Sequence, residues 1–589
     1  MNRRSRTLLV LLVVSILLVP LWLSRRPGPR GVGDDGGTPF TNAPRTPVHG
    51  GTLLASARSE PRSFNRMATP SFPAEIFALL TQAKLVRVNR ETQDLEPWLA
   101  ERWVVAPDGR TYTLTLRDNV QWSDGTPFTS ADVVFSFEAV YQPGGVLGSS
   151  LLVAGKPLQI TASDARTVVI TFPEPLAPGI RLLDNLIILP KHKLESALRA
   201  GSFNKAWSAS TPPSELAGLG PFMLTRYEPG QRLTYDRNPH YWRKDAEGRA
   251  LPYLDRIVIE IVPEQEAEIV RLQAGEIDVM QQQLRATDIA EFRVLKEKKK
   301  VQLLDLDVDT TPDHFFFNLR PEKWMKDPRA AWLPRKEFRQ AISHAVDREA
   351  FANTVFLGEA VPIHGPVTPG NKRWFWPDIP RYQPSREKAR ALLEGLGLKN
   401  RDGDEWLEDE KGNEARFTLQ TFSGASTLER SATVLKDDLK QVGIAVDVVT
   451  LEPNTVMQHM VAGDFDALFV SFAMTDVDPA LNQDFWLTTG ASHVWNPEQK
   501  APATEWEREI DDLMHKQAAT ADEGERKRLF NQVQRIFSEN LPILYFAVPR
   551  VYVAVSPRVL TMTPAVVRPQ VLWNAEAVSV APAPGRPTS

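Results

Sequence analysis

Residues 96–141 constrain this chain more than any other stretch. Trp103–Val105 is apolar, Pro107-Asp108-Gly109 makes a turn, and Arg110–Arg117 follows with Tyr112, Leu114 and Leu116 alternating with Thr111, Thr113 and Thr115. Period-two alternation beside a turn predicts a hairpin with one buried face. Ser123-Asp124-Gly125 gives a second tight turn after Trp122, with glycine free to take positive φ. Thr129, three residues before Asp132, marks a helix start at which its hydroxyl can satisfy an orphan N–H. Val133, Phe137, Val140 and Tyr141 then share one helical face. These elements predict a scaffold; none of them is chemistry.

The scaffold has a familiar order. Trp98-Leu99-Ala100-Glu101-Arg102-Trp103, then Asp108-Gly109-Arg110-Thr111-Tyr112-Thr113, then Trp122-Ser123-Asp124-Gly125-Thr126-Pro127-Phe128-Thr129 resembles the family 5 extracellular solute-binding proteins that feed ABC-type peptide importers. A second match is Gly218-Leu219-Gly220-Pro221-Phe222 with Arg237-Asn238-Pro239-His240-Tyr241-Trp242. At lower density the resemblance runs from about Gly51 to about Trp573. It implies an α/β, two-lobed periplasmic-binding-protein fold of the class II type, with a hinge and an extra small domain. Lobe one is expected from residues 48–95, 196–310 and 541–578, the extra domain from 96–195, and lobe two from 311–540.

Composition agrees with a folded body and narrows its partners. The 589 residues are enough to bury a large core, and 42% hydrophobic with 24% charged residues is ordinary for a globular chain. A net charge of −4 offers no broad basic field for nucleic acid. The run Lys296–Lys300 reads as a solvated helix end. With no cysteine, the chain has no thiolate metal site, catalytic thiol, disulfide or lipidated N-terminal cysteine.

Arg3, Arg4 and Arg6 precede an apolar run from Leu8 to Leu23, the pattern of an export signal. Its 16 residues fall short of the roughly 20 that span a bilayer comfortably. Ser24-Arg25-Arg26-Pro27 follows in place of a small-x-small cleavage site, which favours an uncleaved anchor for residues 1–23. Residues 24–47 read as a flexible linker, rich in Pro, Gly, Arg and Asp. The Pro/Ala-rich tail, 579–589, is expected to be disordered.

Further along, two helix-turn-strand units echo each other. Ala267–Ala274 runs through Gly275 into Ile277-Asp278-Val279, and Thr455–Ala462 runs through Gly463 into Phe465-Asp466-Ala467. Each glycine stands where a helix C-cap needs positive φ, and one such unit in each half suggests two mixed sheets. Amphipathic helices are expected around Phe338–Val346, from Ser385 to Leu393, and from Leu428 to Val442.

Catalytic and metal signatures do not assemble. The nine histidines are dispersed and lack metal-ligand spacing, and His344 reads as structural. The glycine pair at 218 and 220 has no third glycine and opens no helix, so it is not a dinucleotide loop. Gly365–Lys372 approaches a phosphate loop but carries prolines where N–H donors are needed. Asp402-Gly403-Asp404 with Glu408, Asp409 and Glu410 fails as a calcium loop, because Trp406 occupies the third ligand position, and is expected to be a solvated hairpin. No GxSxG elbow is present. The expectation is a non-enzyme without metal or cofactor.

The informative stretch is Phe469-Val470-Ser471-Phe472-Ala473-Met474-Thr475-Asp476-Val477-Asp478-Pro479. An apolar strand runs into a loop with two carboxylates, and a carboxylate at a strand end in an interlobe cleft holds an ammonium by charge-assisted hydrogen bonds. In peptide-binding members of the family, an aspartate four residues before this proline receives the ligand amine. That position is Thr475 here and Asp476 comes one later, so either a loop shift restores the contact or the amine site is lost. The resemblance also implies Phe472 as an aromatic wall, with Phe469 and Met460 where some members carry ligand-facing arginines. Asp476 and Asp478 are ligand candidates, or both merely cap the turn. Trp374, Trp376 and Trp495 are candidate aromatic surfaces for a groove that accepts varied ligands.

The resemblance implies a monomer outside the cytoplasmic membrane, and the N-terminal residues are expected to anchor it there. It captures peptides between its lobes and delivers them to a permease driven by a separate ATPase. The alternatives are a binder of a non-peptide solute such as a sugar or nickel chelate, a membrane-anchored sensor, and an exported hydrolase.

Overall fold

The computed structural model describes residues 46–142, 148–472 and 476–582. The expected anchor, 1–23, and most of the expected linker lie outside them. Among the described residues no helix is long and apolar enough to cross a membrane.

The hairpin forms as Ala100–Val105 paired antiparallel with Thr111–Leu116, Trp103 opposite Leu114. Tyr112, Leu114 and Leu116 are buried while the intervening threonines face outward, as period-two alternation requires. Thr167–Thr171 and Gln159–Asp164 complete a four-stranded antiparallel sheet. The helix Ser130–Val140 begins where expected, and the Asp132 carboxylate reaches back to accept from the Thr129 N–H at 3.0 Å.

Two mixed sheets form the two lobes. The first has eight strands, in the order 302–308, 547–555, 279–280, 52–57, 256–261, 232–237 and 222–228, with 360–362 added on 547–555. The second has five, in the order 445–451, 416–422, 467–471, 313–317 and 543–544. Both expected helix-turn-strand units are present: Gln265–Ala274 ends at Gly275 with φ 74°, and Pro453–Ala462 ends at Gly463 with φ 75°. The chain crosses between sheets at Asp309–Pro312 and between Leu544 and Ala547, and the short strand 360–362 makes a further excursion to the first sheet. Short paired crossings of this kind are where hinge motion concentrates.

Three boundaries differ from expectation. Ile543–Leu544 pairs with Phe315 and Phe316 in the second sheet, so the return crossing comes after 544 and not at 541. Ala360–Pro362, inside the span assigned to lobe two, pairs with Ala547–Pro549 at the edge of the first sheet. The tail is not disordered from 579: Ser579–Val580 is a strand paired with Val559–Thr561, and both residues are buried.

The glycine pair at 218 and 220 has a packing reason. A Cβ on Gly218 would sit 1.8 Å from the Thr81 carbonyl oxygen, and one on Gly220 2.5 Å from the Thr81 carbonyl carbon. Gly220 N also donates to Thr81 O at 3.0 Å. The motif is a close backbone approach between the strand start and the end of helix Phe72–Thr81.

Candidate functional site

The strand Ala467–Ser471 delivers the chain to the boundary between the lobes, and Asp476–Asn482 form the loop beyond it. This loop is tied down from within. Asp478 Oδ1 accepts from Ala480 N at 3.0 Å and caps the short turn Pro479–Leu481. Arg526, from helix Glu523–Asn540, holds the same carboxylate bidentately at 2.6 and 3.0 Å, and stacks on Trp374 at 4.8 Å. Asn482 Nδ2 donates to the carbonyls of Asp476 and Asp478 at 2.6 and 3.1 Å.

Asp476 faces the other way. Its Oδ1 accepts from Arg181 Nε at 2.6 Å and from Asp478 N at 2.8 Å. Arg181 comes from the segment that follows the four-stranded sheet, so this ion pair spans the cleft. Arg181 Nη1 also donates to Gln93 O at 2.8 Å. Gln93 is fully buried with φ 66°, and its side chain donates to Gly370 O at 2.6 Å and accepts from Lys372 N at 3.0 Å. Asn371 Nδ2 donates to Val477 O at 2.8 Å, which closes the circuit on the Asp476 loop. Ala177 N to Ala518 O, at 2.7 Å, is a further bond between the same two bodies.

Beside this network lies a cavity of about 160 Å³, room for about five waters at ~30 Å³ each. Thr310 and Thr311 of the hinge crossing, Arg568 of the first lobe, and Asn371, Asp476 and Asn482 of the second supply its polar wall. Val567, Trp486 and Phe530 supply much of its apolar wall. A mostly apolar hollow with a few convergent polar groups is the usual form of a small-solute site.

Electrostatics at this boundary are set by burial. Burial pushes the Asp476 carboxyl above its ordinary range, and Arg181 opposes that shift. Burial likewise raises Asp309, where Arg568 opposes it with Nη2 at 3.4 Å. Asp313 is pushed up to about 6 by burial, and its hydrogen bond with Ser471 works against the rise. Several carboxylates thus sit at one interlobe surface, with arginines as their main cations.

Of the residues expected at the ligand, Asp476 lines the cavity. Thr475 lies outside the described residues. Phe469 is 2% exposed and packs among Phe315 and Phe546 inside the second lobe, so its place in a ligand wall is corrected to the core. The same correction applies to Trp374 and Trp495, both buried, the first against Phe530 and the second between His493 and Phe485. Alternation explains Phe469: its neighbours Leu468 and Val470 point to the opposite core cluster, and both faces of this strand are covered. Phe472 is half-buried and stacks on His314, ring centroids 3.9 Å apart and 16° from parallel. Trp376 is half-buried and outside the cavity wall. Asp478 is the turn cap. Arg181, Gln93, Asn371 and Asn482 carry no signal in a single sequence, since distant segments bring them to the cleft.

Two sheets joined by short crossings, with a largely apolar cavity bearing a few polar groups at the joint, define a two-lobed solute-binding protein. The chain belongs to the bacterial extracellular solute-binding proteins, family 5, whose middle-region model matches residues 94–493. Among its relatives, the probable ABC transporter-binding protein of Deinococcus radiodurans is 27% identical over 542 residues, 88% of this chain and 90% of its own length. The oligopeptide-binding protein AppA of Bacillus subtilis is 24% identical over 567 residues, 94% of this chain and 95% of its own. The crystal structure of NikA from Brucella suis in complex with Fe(III)-EDTA shares the fold, with a TM-score of 0.72 at 20% identity over 90% of this chain and 100% of that one.

Proposed function

We propose that this protein captures peptides between its lobes and delivers them to an ABC permease powered by a separate ATPase. It acts by binding, not turnover, on the outer face of the cytoplasmic membrane, as a monomer held there by its N-terminal segment. The observation that carries the peptide reading is a buried carboxylate, Asp476, in the wall of an interlobe cavity. Its Oδ1 takes the bonds from Arg181 and Asp478, which leaves Oδ2 for the α-ammonium of a ligand. In a low-dielectric cleft such a charge-assisted bond is worth more than in water. The first lobe is assigned to residues 48–95, 196–310 and 545–580, the extra domain to 96–195, and the second lobe to 311–544.

The second reading keeps the fold and changes the solute. The solute is then a sugar or a metal chelate, for which the polar side chains Asn371, Asn482 and Thr311 suffice without an ammonium partner. Calorimetric titration with a peptide and its N-acetylated form separates the two. The peptide reading predicts that acetylation and Asp476→Ala each weaken binding more than tenfold. Equal affinity for both forms removes the amine site from Asp476.

A further inference from the structure

The hairpin beyond helix Arg386–Gly395 lies far along the second lobe from the cleft. Between Lys399 and Glu414 it carries seven acidic residues and three basic ones. Lys399 and Glu408 bridge each other through both backbone groups at 2.9 Å, which folds Glu408 back over the Asp402–Asp404 tip. One carboxylate oxygen from each of Asp402, Asp404 and Glu408 then lies within 4.8 Å of the others.

Glu408 is the telling member. It is 5% exposed, whereas Asp402 and Asp404 are open to solvent. Its Oε2 accepts from Arg401 N at 2.7 Å, but its Oε1 is closed to solvent and has no hydrogen-bond partner. A buried carboxylate oxygen without a donor is costly, and a cation is the remedy that chemistry offers. Protein cations do not supply it. Arg401 gives its guanidinium to the carbonyls of Asp409 and Gly397, and Lys440 pairs with Glu405 at 2.9 Å. Among the described residues no lysine or arginine forms an ion pair with Asp402, Asp404 or Glu408.

We propose that Asp402, Asp404 and Glu408 hold a hard divalent cation, with calcium the best fit. All three donors are carboxylate oxygens, the choice of hard ions and not of zinc or copper. Ligands on opposite sides of calcium stand about 4.6–5.2 Å apart, against about 4.0–4.2 Å for magnesium. Three carboxylate oxygens all within 4.8 Å of one another can reach a single ion of the larger size. The ligand order does not follow a helix-loop-helix calcium loop, because here the backbone bridge, not the loop's own coil, brings the third carboxylate in. Leu407 N donates to Gly443 O at 2.9 Å, so the ion staples this tip to the edge of the five-stranded sheet at strand 445–451. The strands next to the cleft, 313–317 and 543–544, form the opposite side of that sheet. The site therefore stabilises the second lobe and leaves ligand affinity unchanged, and it stands apart from the peptide reading.

The test is thermal unfolding of the full chain after chelation with EDTA and removal of the chelator, with and without added calcium. Wild-type protein is expected to gain about 2–4 °C with millimolar calcium and less with magnesium. Asp402→Asn/Asp404→Asn, at two exposed positions, unfolds like wild type without metal and loses the calcium gain. Terbium gives a readout independent of stability: emission sensitised by the adjacent Trp406, competed by calcium and absent from the double variant. No calcium gain and no terbium emission in wild type, or an equal gain in the double variant, overturns the proposal.

Discussion

Arg181 Nε and Asp476 Oδ1 are 2.6 Å apart, and their segments stand 295 positions apart in the chain. Both side chains are nearly closed to solvent, at 8% and 12% exposure. The pair bridges the two bodies and shares, through Oδ1, the carboxylate that the proposed ligand amine needs. A ligand ammonium and the Arg181 guanidinium therefore act on one charge. Arg181→Ala is predicted to remove the guanidinium that opposes the burial-driven rise of Asp476, pushing its carboxyl further up, and to make peptide affinity fall as pH drops. Calorimetry at two pH values checks this; a pH-independent affinity in the variant contradicts it.

Asp478 and Arg526 are a different kind of pair, internal to the second lobe and bidentate, with side chains 8% and 7% exposed. Removing one partner leaves a buried charge, which costs about 3–5 kcal/mol. Asp478→Ala is predicted to lower the unfolding temperature strongly while Asp478→Asn, which keeps the turn cap, lowers it less. Differential scanning calorimetry distinguishes them, and equal losses would show that the cap contributes little.

Much of the scaffold was legible because it is local. The alternation Tyr112-Leu114-Leu116, the C-cap glycines 275 and 463, and the face Leu428-Ala432-Leu435-Leu439 each follow from side-chain periodicity or from one backbone angle. The site was legible at Asp476 and at little else. Trp374, Trp495 and Phe469 look identical in sequence to groove aromatics, yet Phe469 lies on a strand whose two faces are both covered by helices, and the two tryptophans pack against Phe530, His493 and Phe485. Gln93 acquires its role from a positive φ and a partner loop 277 residues away. The approach of Glu408 to the Asp402–Asp404 tip does not follow from loop spacing, because the Lys399 bridge brings it back.

His314 carries a pH signature. It is buried against Phe472, Phe485 and Tyr545, and neither ring nitrogen has a hydrogen bond. Burial holds its pKa down to about 3, against the ordinary 6.5. The unfolded chain takes a proton below about 6.5 and the folded chain does not, so stability present above 6.5 is lost as pH falls toward 3. His314→Phe keeps the ring stack and removes the proton uptake. Between pH 6.5 and 4.5 wild type is predicted to lose about 2–3 kcal/mol relative to the variant. Parallel denaturation curves at both pH values would contradict this.

Gly220 has no room for a methyl group, with the backbone of Leu80, Thr81 and Gln82 all within 2.7 Å of a built Cβ. Gly220→Ala is predicted to cost about 3 kcal/mol or more, at the upper end for overpacking against backbone. Gly230→Ala, at an open turn with φ 70°, costs less, through backbone strain alone. Urea titration of the two variants gives the comparison, and a smaller loss at 220 than at 230 would contradict the close approach.

The most direct measurement is native mass spectrometry of the protein as purified from its own cells. The account predicts a bound mass that fragments into an amino-acid ladder in wild type and is absent from Asp476→Ala. A bound mass without amino-acid fragments, or a peptide retained equally by both, contradicts the assignment of the ligand amine to Asp476.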